Sequence, residues 1–366
     1  MRPRSRRCTN AWALSAPSRT FAAFSLIAAV CVAAGVLHFA DAAPVAIFLV
    51  SAAALAGLAW LIGSATESVA VRFGPGLTGV LQTTLGNLPE LFVVLFALSA
   101  GEVVVAQTSI LGSLFANALL VLGLAIVAGS FASSDGVMRF RARLANDTAT
   151  LLLLATFIIV LLGLSDTVGD RASRHSFAIS AVGAVCLLVV YALWLWSYLR
   201  GDATEPAIEE GTHVPFSFGV GLAVLATAGV GAALVSDWFV NALDPAVRSL
   251  GISKAFTGLV IVGIAGNAVE NLVGITLAAK GRTDLAISVI KNSVSQIAVF
   301  LFPALVLLSM FFSERLTFVL SPVYIGALAV MAIAVWQITG DGEAVAFEGW
   351  ALVAIYIVLA VLTFYE

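Results

Sequence analysis

Residues 86–117 read GNLPELFVVLFALSAGEVVVAQTSILGSLFAN. This stretch sets one carboxylate, Glu90, inside an apolar run of membrane-span character. The chain repeats the arrangement 180 residues later, where Gly266-Asn267-Ala268-Val269-Glu270 opens another apolar run. The interval from Gly86 to Ser113 equals that from Gly266 to Ser293, with no insertion. An intramembrane carboxylate costs about 2.5–3.5 kcal/mol on insertion scales, which favours a functional cause. Two of them at matched positions in two halves of one chain point to an ion pathway.

The surrounding composition agrees. Of 366 residues, 61% are hydrophobic and only 11% charged, with a mean hydropathy of +1.07. Soluble domains carry roughly a quarter charged residues, so this is an integral membrane protein. The net charge of −3 says little, because few of the charges face bulk water. Cys8, Cys31 and Cys186 lie far apart and suggest neither a disulfide framework nor a zinc site. His38, His175 and His213 are equally scattered, and no H-E-x-x-H, G-x-S-x-G or phosphate-binding loop occurs. An enzyme, an ATP-driven pump, a bound cofactor and a nucleic-acid partner are therefore not expected.

Residues 1–20 form a polar arm with five arginines, expected to be cytoplasmic. The run 21–40 is the first apolar segment. Ala40-Asp41-Ala42 resembles a signal-peptide cleavage site, but the run is longer than a usual signal core and is read as a retained span. Further spans are expected near 43–62, 76–99, 102–128, 148–164, 176–199, 216–240, 252–279, 284–312, 317–337 and 347–365, each close to the roughly 20 residues that cross a bilayer. The total is eleven. The arm, the loop with Arg139, Arg141 and Arg143, and the loop with Lys280 and Arg282 fall on one side, which the positive-inside rule makes the cytoplasm; the C-terminus is then outside. The expected membrane is a bacterial inner membrane.

The stretch 200–215 is polar and acidic, with Asp202, Glu205, Glu209 and Glu210, and reads as a cytoplasmic linker between a first half, 43–199, and a second, 216–366. Five spans per half is an odd number, so the second half inserts upside down. The expected fold is an all-α polytopic membrane protein: an extra first span plus two inverted five-helix repeats, with substrate bound between them. Nothing in this architecture opposes a homo-oligomer.

Asn87 and Glu90 are three apart and share a helical face, as do Asn267 and Glu270. Gly86, Gly266 and Pro89 weaken the helix locally, and a broken helix at membrane depth frees carbonyls that can line a cavity. Carboxylates, amides and carbonyls make an all-oxygen shell of the kind hard cations such as calcium take. Ser113, Asn117, Ser293 and Gln296 on the following spans are further candidate oxygens. Desolvation disfavours a bare carboxylate charge, so the same oxygens can hold protons or a divalent cation in competition. Exposed alternately to each side, such a site performs exchange. A cation channel would share the carboxylates, but two inverted halves with broken helices favour alternating access.

With these residues in view, Gly86 to Gly123 and Gly266 to Leu308 resemble the two alpha-repeats of the calcium/cation antiporter superfamily, in its cation/proton exchanger branch. Residues 61–70, LIGSATESVA, resemble the lead-in to the first repeat; Ser236-Asp237, Leu250-Gly251-Ile252-Ser253 and Phe256-Thr257-Gly258-Leu259 resemble its counterpart. The resemblance covers most of residues 43–310. It implies exchange of calcium or a related cation for protons, with Glu90 and Glu270 binding the ion and Asn87 and Asn267 flanking them. It also places Glu67 and Asp237 where the family has further acidic residues, for proton relay or cation attraction at the two mouths. Three departures stand out. Pro89 replaces a small or polar residue, and Asn271 replaces a histidine. Lys291-Asn292 stands where a hydrophobic residue and a glycine are expected, as in Leu111-Gly112. Lys291 either reaches the site, pairing with a glutamate and shifting selectivity toward sodium, potassium or manganese, or faces away into a structural role.

Overall fold

The computed structural model describes residues 17–70, 85–201 and 216–366; the side chains of 17–21, 67, 70, 143, 144, 198–201 and 268–270 lie outside that description. Most of the basic arm and of the acidic linker therefore falls outside the described residues. The described chain is almost wholly helical: α1 (Pro17–Phe39), α2 (Pro44–Ala70), α3 (Leu88–Ser99), α4 (Val103–Ala132), α5 (Ala142–Thr167), α6 (Ser176–Gly201), α7 (Phe218–Leu250), α8 (Lys254–Gly266), α9 (Ala268–Ala279), α10 (Thr283–Phe311), α11 (Pro322–Thr339) and α12 (Ala346–Phe364). Among the described residues nine helices are long and apolar enough to cross a membrane, and α8 with α9, bent by 58° at their junction, makes a tenth. The segment read as a span at 76–99 lies partly outside the description, where the 12-residue helix α3 is its visible part.

Several boundaries differ from the sequence reading. The short run at 148–164 is a helix of 26 residues, because polar residues of its first turns are bonded within the protein; Asn146 Nδ2 donates to the carbonyl of Gly340 at 3.2 Å. The span at 216–240 continues through Pro245 to Leu250. Its extension carries the Asp244–Arg248 ion pair (2.8 Å) and ends at Gly251, whose φ of 66° suits a helix C-terminus.

The two halves are packed upside down to one another. A Cβ on Gly221 of α7 would sit 3.2 Å from Val69 of α2, one on Gly231 would sit 3.2 Å from Leu58, and Phe239 stacks on Phe48 at 4.8 Å. Rising numbers on α7 meet falling numbers on α2, so the first long helix of each half runs antiparallel to its counterpart. The remaining contacts keep that symmetry: α5 packs on α11, the end of α4 on α12, and the end of α10 on α6.

The loops sort to two ends of the bundle accordingly. At one end, strands β1 (Val137–Arg139) and β2 (Glu343–Val345) pair antiparallel, and the Arg141 backbone N–H donates to Asp284 at 2.8 Å. At the other, Lys254 Nζ lies 2.8 Å from both Glu102 and Asp244, and Gln107 Nε2 donates to the Val319 carbonyl at 3.1 Å. Along α6, Val182, Val185, Val189, Leu193 and Trp196 form an outward apolar stripe at helical spacing, the surface a lipid-facing helix presents.

Candidate cation site

The site begins at two breaks. Asn87 (φ −83°, ψ 9°) precedes α3, and Asn267 (φ −100°, ψ 20°) separates α8 from α9. Pro89 takes the first turn of α3, where its missing N–H loses no helical bond. Glu90 follows in that same turn, so its carboxylate lies near a helix N-terminus, where the backbone dipole favours negative charge. By backbone position Glu270 stands in the first turn of α9 in the same way; its side chain lies outside the described residues.

Glu90 is only 1% exposed. Its carboxyl lies over the α-carbon of Gly266, where an added Cβ would meet Oε1 at 2.5 Å and Cδ at 2.7 Å. Only a residue without a side chain lets the carboxylate of one half rest on the break of the other. A narrow crevice lined by Pro89, Glu90, Val93, Ala265 and Gly266 adjoins it. Glycines also bring the helices together. The Cβ absent from Gly112 of α4 would fall 2.3 Å from the Leu259 carbonyl oxygen, and that absent from Gly263 would fall 2.4 Å from the Gly112 carbonyl carbon.

This crossing delivers the next polar residues. Ser113 Oγ donates to Glu90 Oε1 at a long 3.5 Å. Asn117 Nδ2 donates to Asn267 Oδ1 at 2.7 Å and to the Ser113 carbonyl at 3.0 Å, and Asn267 Nδ2 donates to the Gly263 carbonyl at 3.0 Å. Asn117 lies in a π-helical segment, Ala116–Val121, and a matching one, Ile297–Leu301, follows Gln296 in α10. Such widened turns redirect side chains and concentrate at functional sites.

Asn87, Glu90, Ser113, Asn117, Asn267, Ser293 and Gln296 are all buried. Asn117 Oδ1, Ser293 Oγ and Gln296 Oε1 have no hydrogen-bond partner among the described residues. An unsatisfied buried polar group costs about 1–3 kcal/mol, so three side-chain oxygens left in this state suit an oxygen-seeking ligand.

Three predicted residues sit on other helices or on another helix face. Asp237 is half-buried on α7, next to the fully buried Ser236. Glu67 belongs to the last turn of α2, and its side chain lies outside the described residues. Lys291 turns its amine away from these oxygens: Nζ donates to the Ala145 carbonyl at 2.8 Å and to Thr339 Oγ1 at 2.6 Å, behind α10. Asn292 Nδ2 donates to Ser288 Oγ at 3.4 Å, and Asn271 Nδ2 reaches the Ile264 carbonyl across the break at 3.5 Å. The amide bridge from Asn117 to Asn267 and the glycine seats at 112, 263 and 266 are the features that sequence reasoning missed. Of these glycines only Gly266 has a counterpart at the matched position, Gly86, and that pair was the one signal.

Known proteins place the chain. The profile described as "Sodium/calcium exchanger protein" matches residues 43–199 and 220–365. The chain is 32% identical over 342 residues to a Ca(2+)/H(+) antiporter of Aphanothece halophytica, covering 88% of this chain and 91% of that one. It is 31% identical over 346 residues to the Ca(2+)/H(+) antiporter ChaA of Bacillus subtilis (strain 168), covering 92% and 97%. The solved structure of native YfkE superposes with a TM-score of 0.81 at 27% identity, covering 94% of this chain and all of that one. The H+/Ca2+ exchanger CAX shares the fold, with a TM-score of 0.74 at 15% identity. Broken helices, paired halves and matched profile agree: this chain belongs to the sodium/calcium exchanger protein family.

Proposed function

We propose that this protein is a secondary transporter that exchanges calcium for protons by alternating access. The observation that carries the reading is the Glu90 carboxylate, buried and seated on Gly266 of the other half, within a shell of buried oxygens from both. The names of the similar antiporters support calcium and protons as the exchanged ions. In this reading Glu90 and Glu270 bind the cation, with Asn87, Asn267, Ser113, Ser293, Asn117 and Gln296 supplying neutral oxygens. A carboxylate without a cation takes up a proton instead, because bare charge in an apolar surrounding is expensive. Loading one ion therefore releases the other, and no chemical bond is made: the protein binds and moves ions and has no catalytic residue. Glu67 and Asp237 serve the mouths.

The antiparallel seam of α2 and α7 beside the site supports rocking of one half against the other, which exposes the shell to each side in turn. The membrane is a bacterial inner membrane, with the β1–β2 end of the bundle in the cytoplasm and the C-terminus outside.

The test is calcium uptake into proteoliposomes under an imposed pH gradient, for wild type, Glu90→Gln and Glu270→Gln. Wild-type uptake that collapses with the gradient, and its loss in both variants at normal folded yield, is expected. Full transport in either variant would remove the carboxylates from the mechanism.

A further inference from the structure

The least explained group in the molecule is Lys291, 2% exposed within a membrane helix and with no carboxylate partner among the described residues. A buried amine is expensive in a bilayer and marks a use.

On α10, Lys291 and Ser295 are four apart and share a face, whereas Ser293 lies about 200° round the helix from Lys291. The back face is bolted to the neighbouring helices. Lys291 Nζ donates to the Ala145 carbonyl of α5 and to Thr339 Oγ1, which itself donates to the Val335 carbonyl at 2.6 Å. Ser295 Oγ donates to the Thr148 carbonyl of α5 at 3.4 Å. Thr339 is the last residue of α11, and a helix C-terminus presents the negative end of its dipole to a cation.

The first half handles the matched positions differently. Leu111 and Phe115, 180 residues earlier, make the same face of α4 wholly apolar and wholly buried. There the site-facing side is held from the front, by the bonds Asn117 makes to Ser113 and Asn267. The residue matching Asn117 in the second half is Ile297, which can make no such bond. Apolar packing does not fix a helix's rotation as a directed hydrogen bond does, and Ser293 Oγ and Gln296 Oε1 have no protein partner of their own. The π-helical segment begins at Ile297, directly after them, so the preceding turns, with the Tyr191 hydroxyl of α6 beside Gln296, set their orientation.

We propose that Lys291 is a positioning residue for the second half of the cation site: its amine, tied to Ala145 and Thr339, fixes α10 from behind so that Ser293 and Gln296 face the ion. The inference rests on the exchange reading above.

The experiment measures calcium uptake kinetics in proteoliposomes for wild type, Lys291→Leu, Thr339→Val, Ser293→Ala and the Lys291→Leu/Ser293→Ala double variant. Lys291→Leu installs what the first half carries, so folded yield and Tm are expected to hold. KM for calcium rises about tenfold, the low end of what loss of an outer support costs a metal site, while the maximal rate changes less than about twofold. Thr339→Val, which keeps the lysine and removes one acceptor, raises KM in the same direction. In the double variant the two effects do not fully multiply, because the part of the lysine's effect that runs through Ser293 is already lost and only the part through Gln296 remains. If Lys291→Leu leaves KM unchanged, or the double variant shows the product of the single effects, the positioning role is overturned. Should Lys291→Leu fail to fold, an unchanged KM in Thr339→Val overturns it equally. A wild type without pH-driven uptake overturns the exchange reading instead.

Discussion

The carboxylate of Glu90 rests on the α-carbon of Gly266, the residue at the opposite half's break, with no room for a methyl group between them. Gly266→Ala forces the carboxylate to yield, and because the obstacle is the end of a flexible side chain, the fold survives. With Glu90 an ion ligand, as proposed, the expected result is a normal folded yield with KM for calcium raised at least about tenfold; an inner ligand costs no less than an outer support. Uptake kinetics on purified variants check this, and an unchanged KM would remove the carboxylate from the ion's neighbourhood.

At Gly112 the obstacle is backbone, which cannot move aside. An added methyl would lie 2.3 Å from the Leu259 carbonyl oxygen and 2.6 Å from its α-carbon. Gly112→Ala is expected to destabilise by about 1–3 kcal/mol or more, as overpacking does, and to lower folded yield together with transport. Gly229→Ala on α7 is the control, since nothing lies within 4 Å of the new methyl and helix propensity gains roughly 0.5–1 kcal/mol. Thermal unfolding in detergent separates the two: Gly112→Ala falls, Gly229→Ala holds or rises.

Where the sequence was loud, it was readable. A carboxylate in an apolar run, repeated with the same asparagine and the same spacing, announces itself by its cost, and the structure brings Asn117 of one half onto Asn267 of the other. Helix ends were harder. Asn146 and Asp147 read as loop because their polarity looks unpaid; inside the protein Asn146 bonds Gly340. The π-helical segments have no residue code at all, since they are set by what the neighbouring helices leave open. Lys291 lay between these cases. Its position opposite Ser293 follows from the helical period, but a four-carbon stem can reach either way, and only Ala145 and Thr339 decide the direction.

The exposed clasp at the β1–β2 end supplies a pH prediction away from the site. The Ser133 hydroxyl, then the Arg139 guanidinium and the Val137 N–H, hold the Asp135 carboxyl well below the usual carboxylate range. A folded-state value below the unfolded one contributes stability above the ordinary carboxylate pKa of about 4, which is lost as pH falls through the lower value. Amide protection over Val137–Arg139, corrected for intrinsic exchange, is expected to hold from neutral pH to about 4 and to decline below. Asp135→Asn abolishes that pH dependence and leaves calcium uptake at neutral pH unchanged, because an exposed ion pair is worth little. Altered uptake would show that this loop communicates with the ion path.

The amide bridge from Asn117 to Asn267 joins the halves at the site itself, with both side chains fully buried and a separation of 2.7 Å. Hydrogen bonds between membrane helices are worth about 0.6–2 kcal/mol, because the separated groups find other partners. Asn117→Ala removes both that bond and the free Oδ1, whereas Asn267→Ala removes the bond and leaves Asn117 Oδ1 in place for the ion. The double variant tests whether the two asparagines act as a pair. If the bridge orients the site, Asn117→Ala and Asn267→Ala each raise KM for calcium, and the double variant is no worse than the stronger single one. Multiplying effects would instead make them independent ligands, with the bridge holding only until a cation arrives. Thermal stability reads the same cycle without transport: a coupling of at least about 0.5 kcal/mol is the value expected of residues in one hydrogen-bond network.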